Sequence, residues 1–243
     1  TKHYHMQINL DKVVHKYNQL EKIWSPKDKW HSRTTQTISD FIEKYIKPLE
    51  TSKGNILNAG SAGNAYALPE DKMIHLDIAE EKIAHLANGY KGSISNIPFS
   101  ENSFSLIVCV GSVINYNDPV KVFEEFDRVL QNKGHIMLEF ENSNTLELIF
   151  TKRYNKKAVL VDSFYYGVER IWYYSDEFIQ ELLTIHQMKI VRTYKFHFLS
   201  PFIYRFVKDE NKAGPFMWFD KFFRRIPVLK DIASNTILLI QKQ

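Results

Sequence analysis

The residues best placed to do chemistry lie in one stretch, NILNAGSAGNAYALPEDKMIHLD, from Asn55 to Asp77. A short apolar strand, Asn55-Ile56-Leu57, ends in a small-residue turn that runs from Asn58 through Ala59, Gly60 and Ser61 to Gly63. A second apolar strand, Met73 to Leu76, ends on a carboxylate, Asp77. Two parallel strands joined in this way leave backbone N–H groups uncovered beyond the first strand, and a carboxylate at the tip of the next can accept both hydroxyls of a ribose. That is the chemistry of a nucleoside site. Alone the signal is weak, because a glycine after a strand often only permits close packing. Asp77 has a rival role as N-cap of a helix starting near Ala79.

The rest of the chain must position that stretch. At 243 residues, 44% apolar and 25% charged, it has the composition of a soluble protein with a sizeable core. The net charge of +4 falls short of a nucleic-acid footprint. Its small basic clusters (Lys152-Arg153, Lys156-Lys157, Arg224-Arg225) are separated by acidic or apolar residues and read as solvated faces. No apolar run reaches the ~18 residues of a membrane span. The first residues lack both an initiator Met and the layout of a signal peptide, as a trimmed cytoplasmic chain would. The single cysteine, Cys109, sits among apolar neighbours and predicts a buried thiol with no internal disulfide.

Apolar spacing predicts helices over 7–24 and from Ser32 to Ile46, ahead of the first strand. Trp24, Trp30 and His31 between them either line a pocket or staple this cap to the core. After Asp77 the pattern predicts a helix over Ala79–Leu86 and a short third strand in YKGSIS. Phe104–Val110 reads as a strand covered on both faces. Asp118-Pro119 opens a helix that ends before Gly134, and HIMLEFEN is the fifth strand. In the final third, strands are expected only at Lys189–Phe196 and Thr236–Gln241, with a helix from Asp176 to Ile185 capped by Ser175. This alternation is that of a doubly wound α/β protein.

The segment IPFSENSFSLIVCVGSVINYNDPVKVFEEFDRVLQNKGHIMLEFEN resembles the central region of class I methyltransferases that use S-adenosylmethionine (SAM). Pro98-Phe99, Ser103-Phe104-Ser105, Glu125 through Arg128-Val129-Leu130, and Gly134 stand where that family has its landmarks. With the Asn58–Gly63 turn and Asp77 upstream, the resemblance covers roughly residues 54–142. It implies a Rossmann-like seven-stranded mixed sheet of order 3-2-1-4-5-7-6, the last strand antiparallel between the fifth and sixth. It also implies one domain: a helical cap (1–50), a SAM-binding core (51–145), and lid insertions with the last two strands (146–243). SAM, with S-adenosylhomocysteine as product, is the implied cofactor, and no metal is. The implied cofactor contacts are Asn58, Ala59, Gly60, Ser61, Asp77, Ile78, Ser93, Ile94, Val110 and Gly111. Asn115 and Tyr116 are the candidates near the methyl acceptor.

The departures from the family pattern are specific. Asn58 replaces an acidic residue, as do Ser93 and Ser105, and the helix usually following the glycine turn is shortened to a turn. A catalytically weak or inactive SAM-binding relative, and an RNA methyltransferase, are therefore the alternatives to a small-molecule methyltransferase. A nicotinamide-dependent oxidoreductase is disfavoured by the missing glycine alternation. Aromatic residues crowd 146–175 and 197–229, among them Tyr165, Tyr166, Trp172, Tyr173 and Tyr174. They form either a wall suited to a hydrophobic or planar acceptor or the insertion's own core. His31, His135, His186 and His197 are scattered and read as packing or surface residues, leaving no evident general base.

Overall fold

The structure, a computed structural model, describes residues 8–20, 29–49, 54–163, 169–227 and 229–243. Its sheet contains β1 (Ile56–Ala59), β2 (Met73–Asp77), β3 (Gly89–Lys91), β4 (Phe104–Cys109) and β5 (Leu130–Glu141). A two-stranded hairpin of β6 (Ala158–Ser163) and β7 (Glu169–Tyr174) stands apart, and β8 (Met188–Phe196) and β9 (Asn235–Lys242) complete the sheet. The order is β3-β2-β1-β4-β5-β9-β8. The first five strands pair in parallel, and β9 runs antiparallel between β5 and β8. This is the expected mixed Rossmann-like sheet.

Both faces are covered, as parallel strands require. On one face α3 (Pro119–Val129) and α4 (Asp176–Ile185) bring Phe123, Phe126, Ile179 and Leu183 onto Leu57, Ile107 and Leu138. On the other, α2 (Lys29–Phe41) and the turn that extends it to Ile46 lay Ile38, Phe41, Ile42 and Ile46 over Ile56, Leu106, Val108 and Met137. Asp118 caps α3 by accepting from Val120 N at 3.0 Å, and Ser175 caps α4 by accepting from Phe178 N at 3.1 Å. The landmarks at Pro98-Phe99 and Glu125–Arg128 belong to one clamp. Arg128 donates to the carbonyls of Ile97 and Phe99, and Glu125 accepts from both Arg128 and Ile97 N. The guanidinium holds the Glu125 carboxyl below its usual range.

Four elements differ from expectation. The predicted helix over Ala79–Leu86 is a series of tight turns with one 3-10 turn, Glu80–Lys82. Gly89 must sit against the Ile83 carbonyl, where a Cβ would come within 2.3 Å, so the chain folds back through i→i+3 bonds instead of extending a helix. The hairpin β6–β7 lies where no strand was expected. Val161, Ile171 and Tyr173 point inward with Leu148 while Asp162 and Arg170 pair outside, a two-residue period masked by the density of aromatics. The third strand is only Gly89–Lys91, and Ser93–Asn96 closes a turn after it. Finally, α1 (Leu10–Gln19) is shorter than the predicted 7–24, whose last part, Trp24 included, lies outside the described residues, as do Tyr165 and Tyr166. Among the described residues no helix is long and apolar enough to cross a membrane.

Candidate active site

The carboxyl ends of β1, β2, β4 and β5 meet at one edge, where the strand order reverses between β1 and β4, and such a switch point leaves a crevice in open α/β sheets. A cavity occupies it, with about 1390 Å³ of empty space including its open mouth. Its floor is made by Gly60, Ser61 and Ala62 after β1, Asp77 and Ile78 after β2, Ile94, Val110 to Val113 after β4, and Glu139 and Glu141 on β5. Its roof is made by Val13, Val14 and Tyr17 of α1 and by Trp30, His31 and Thr34 of α2, with Ile171 from β7.

The glycine turn is tightly wound. Gly60, Ala62, Gly63, Tyr66 and Ala67 all hold positive φ, three of them without glycine's freedom, because β1 and β2 are joined with no α-helix between them. Its N–H groups do not stay uncovered as the sequence suggested. Gly60 N donates to the Leu76 carbonyl at 2.7 Å, Ala62 N to Asp77 Oδ2 at 2.8 Å and Gly63 N to Ser61 Oγ at 3.1 Å. Asp77 Oδ1 accepts from Ala79 N at 2.8 Å, so this carboxylate ties the turn to the tip of β2. A carboxylate offers about four acceptor positions, and the backbone N–H groups of Ala62, Ala79 and Ile78 draw on them. Burial raises the Asp77 pKa against the opposing pull of those backbone N–H groups.

Beyond β4 the backbone is again strained. Gly111 and Ser112 both hold positive φ, and Ser112 N donates to Glu139 Oε2 at 2.6 Å. Glu139 also accepts from Asn235 Nδ2 at 2.6 Å and is fully buried, which raises its pKa. Glu141, two residues on and so on the same face of β5, accepts from Ser112 Oγ and Ser234 Oγ, each at 3.2 Å. Burial first, and then the neighbouring Glu139, push Glu141 up to about 8. Between Asp77 on β2 and this pair on β5 lie three inter-strand steps, roughly 14 Å.

Not every expected residue reaches the cavity. Gly60, Ser61, Asp77, Ile78, Ile94, Val110, Gly111 and Tyr116 line it. Asn58, Ala59, Ser93 and Asn115 are not among its lining residues. Asn58 is buried and donates to the Asn64 carbonyl at 2.6 Å, holding the turn, and Ala59 packs in the core. Ser93 Oγ accepts from Ser95 N at 3.2 Å. Asn115 is buried; it donates to the Glu141 and Trp172 carbonyls and accepts from Glu141 N at 3.0 Å, pinning β7 to β5. The residues missed from sequence are Glu139, Glu141, Asn235 and the α1 side chains. Two carboxylates alternating at the end of an otherwise apolar strand were the available signal, since such residues are rarely buried without a role.

Known proteins resemble this chain in part of its sequence and in its fold. Residues 57–138 match the family model described as a methyltransferase domain. Over 172 residues the chain is 27% identical to a demethylmenaquinone methyltransferase of Thermotoga maritima, covering 68% of this chain and 70% of that relative. An S-adenosylmethionine-dependent methyltransferase from Mesorhizobium loti matches with a TM-score of 0.56 at 9% identity, covering 86% of this chain and 100% of that one. The 1,6-didemethyltoxoflavin-N1-methyltransferase of Burkholderia thailandensis, solved with 1,6-didemethyltoxoflavin and S-adenosylhomocysteine, matches at 0.56 and 12% identity over 96% of this chain and 86% of that one. These structural likenesses carry the fold alone. Residues 57–138 are thus similar to a methyltransferase domain, on the Rossmann-like fold of those SAM-dependent enzymes.

Proposed function

We propose that the chain methylates a small acceptor with a planar, largely apolar body, and that Glu141 receives the proton the acceptor loses. The observation that carries this reading is the single cavity that joins Asp77 to the Glu139–Glu141 pair beneath an apolar and aromatic roof. Asp77 lines the cavity and keeps acceptor capacity after bonding Ala62 and Ala79, as binding a ribose hydroxyl needs. Ile78 and Ile94 offer apolar surfaces for an adenine, and Gly60, Ser61, Val110 and Gly111 border the path between the two carboxylate sites. Bound SAM supplies an activated methyl group on a sulfonium, so the protein has mainly to bind, align and exclude water.

An acceptor O–H or N–H must shed its proton as it is methylated. Glu141 is accessible from the cavity, and a carboxyl pushed up to about 8 is matched to a proton transfer near neutral pH. Glu139 holds the strained Gly111-Ser112 backbone in place. Tyr116, whose hydroxyl lies 3.4 Å from that of Tyr17, closes the wall between loop and roof. The demethylmenaquinone methyltransferase of Thermotoga maritima supports a ring of that kind as the first acceptor to try. The test is titration calorimetry with SAM and S-adenosylhomocysteine, then mass spectrometry of an acceptor panel containing hydroxylated rings, heterocyclic N–H compounds and a control RNA. Micromolar SAM binding with methylation of a ring acceptor is expected. Binding without turnover on any ring, or turnover on RNA alone, would overturn the reading.

A further inference from the structure

We propose that the helical module between β8 and β9 docks on an anionic lipid surface, lying at the interface without crossing it. The module consists of α5 (Leu199–Val207), α6 (Glu210–Ala213), a 3-10 segment (Gly214–Phe219) and α7 (Asp220–Phe223). Its inner side is fixed. Asp220 is buried and accepts from the backbone N–H groups of His197 and Phe198, while Ala213 and Met217 are buried beside it. Its outer side is apolar and uncovered: Trp218 is 80% exposed, Phe206 69%, Phe222 61% and Phe219 50%. Phe222 stands four residues from Trp218 and three from Phe219, so it neighbours both on the outer side, while Met217 and Asp220 are buried. The rings are braced, Phe206 against Phe202, Phe219 against Phe216 and Phe222 against Phe223. Large apolar side chains gathered this way on a protein surface mark an interaction site.

Charge selects the partner. Residues 199–227 hold six Lys or Arg against three Asp or Glu, a net of +3 in a chain whose whole net charge is +4. One of the three acids, Asp220, is buried beneath the module. Exposed Trp and Phe edged by Lys and Arg are the composition of a surface that sinks its rings to headgroup depth and sets its cations against anionic lipid. The module is also continuous with the cavity roof. Trp30 of α2 stacks on His197 with ring centroids 4.4 Å apart and lies 6.0 Å from the Tyr204 ring of α5. A surface docked there would sit beside the helix that covers the cavity, where an apolar acceptor dissolved in lipid would arrive. The inference stands on the module's own exposure and charge, and its test needs no turnover.

The full chain is floated with vesicles of phosphatidylcholine containing one quarter phosphatidylglycerol, and with phosphatidylcholine alone. Flotation with the anionic vesicles is expected, weakened by high salt, together with quenching of Trp218 by lipids brominated on the acyl chain. Trp218→Ser combined with Phe222→Ser should lower partitioning by at least about tenfold, with an unchanged circular-dichroism melt showing that the fold survives. Lys208→Glu combined with Arg225→Glu should remove the preference for anionic lipid. If the wild type stays in the bulk with both vesicles, the proposal is wrong. It is equally wrong if light scattering shows a dimer that Trp218→Ser converts to monomer while vesicle binding stays absent, because a second copy then covers the face.

Discussion

Asp77 and Glu141 line the same cavity but are held in different ways. Asp77 accepts from backbone N–H groups of the two segments it joins, Ala62 and Ala79, and these oppose the rise in pKa that its burial causes. Glu141 accepts from the Ser112 and Ser234 hydroxyls, and its burial and then the neighbouring Glu139 favour its protonated form. On the proposed reading Asp77 offers acceptors and Glu141 exchanges a proton, although burial raises the pKa of both. The same chemical group has different surroundings because β2 ends in a strained turn rich in N–H donors, whereas β5 runs on beside Ser112 and Ser234.

That contrast breaks most completely at the turn. A side chain at Gly60 would put its Cβ 2.4 Å from Val113 Cγ1, on a backbone with φ of +73°. Gly60→Val should therefore abolish SAM binding and lower the unfolding temperature, both read by calorimetry. The cause is a clash with the loop after β4. Gly60→Ala with Val113→Ala should recover part of the stability, since the clash is relieved and only the backbone strain is left.

Asp77→Ala should weaken SAM binding by roughly ten- to a hundredfold, because hydrogen bonds to a charged acceptor are worth about 1.5–3 kcal/mol each and water compensates in part. Asp77→Asn should cost less in binding. Both should lower the melting temperature, because two N–H groups lose a charged acceptor. Equal SAM binding by wild type and Asp77→Ala, with only the melt shifted, would leave Asp77 a structural tie alone.

Glu141→Gln sharpens the other side. SAM affinity should stay within about twofold, while turnover falls by roughly 10²–10⁴. The wild-type rate should rise as pH approaches about 8 and the Gln variant should lose that limb. The folded state keeps a proton on Glu141 that the unfolded chain releases above 4.5, so the residue's contribution to stability declines as pH rises from there through about 8. Above that range the Gln variant should melt higher than wild type, by only a few degrees because Glu141 is partly open to the cavity. The smallest effect belongs to the roof: Tyr17→Phe removes one hydroxyl 3.4 Å from Tyr116 and should change KM by no more than about threefold.

How much of this was readable beforehand follows from what each signal depends on. The apolar runs at Ile56–Ala59 and Phe104–Cys109 are buried on both faces, so composition alone marks them as central strands. Asp118 and Ser175 announce their helices because capping is a local interaction. Asp77 and Gly60 were legible for the same reason, since a strand tip and its turn are neighbours in sequence. Glu141 was not, because its pKa depends on Glu139, Ser112 and Ser234, which only the pairing of β5 with β4 and β9 brings together. Asn115 misled in the opposite sense. It lies at the right place after β4, but the hairpin that consumes its hydrogen bonds begins more than forty residues later.

The position of β9 has a consequence for how the chain is made. Within the sheet β8 pairs only with β9, yet β9 follows it in sequence after α5, α6 and α7. While a ribosome is still adding those helices, β5 is an open edge and β8 has no neighbour to join. The parallel half from β3 to β5 already has its own partners at that stage, and α2 and α3 to cover it. Five of the seven strands can thus pair before β9 is made, and the step that closes the sheet also delivers Asn235 to Glu139. The wall carrying the two glutamates is finished by the same event that buries the exposed edge, so a chain interrupted before β9 would hold the Asp77 side of the cavity and lack a finished Glu139–Glu141 side.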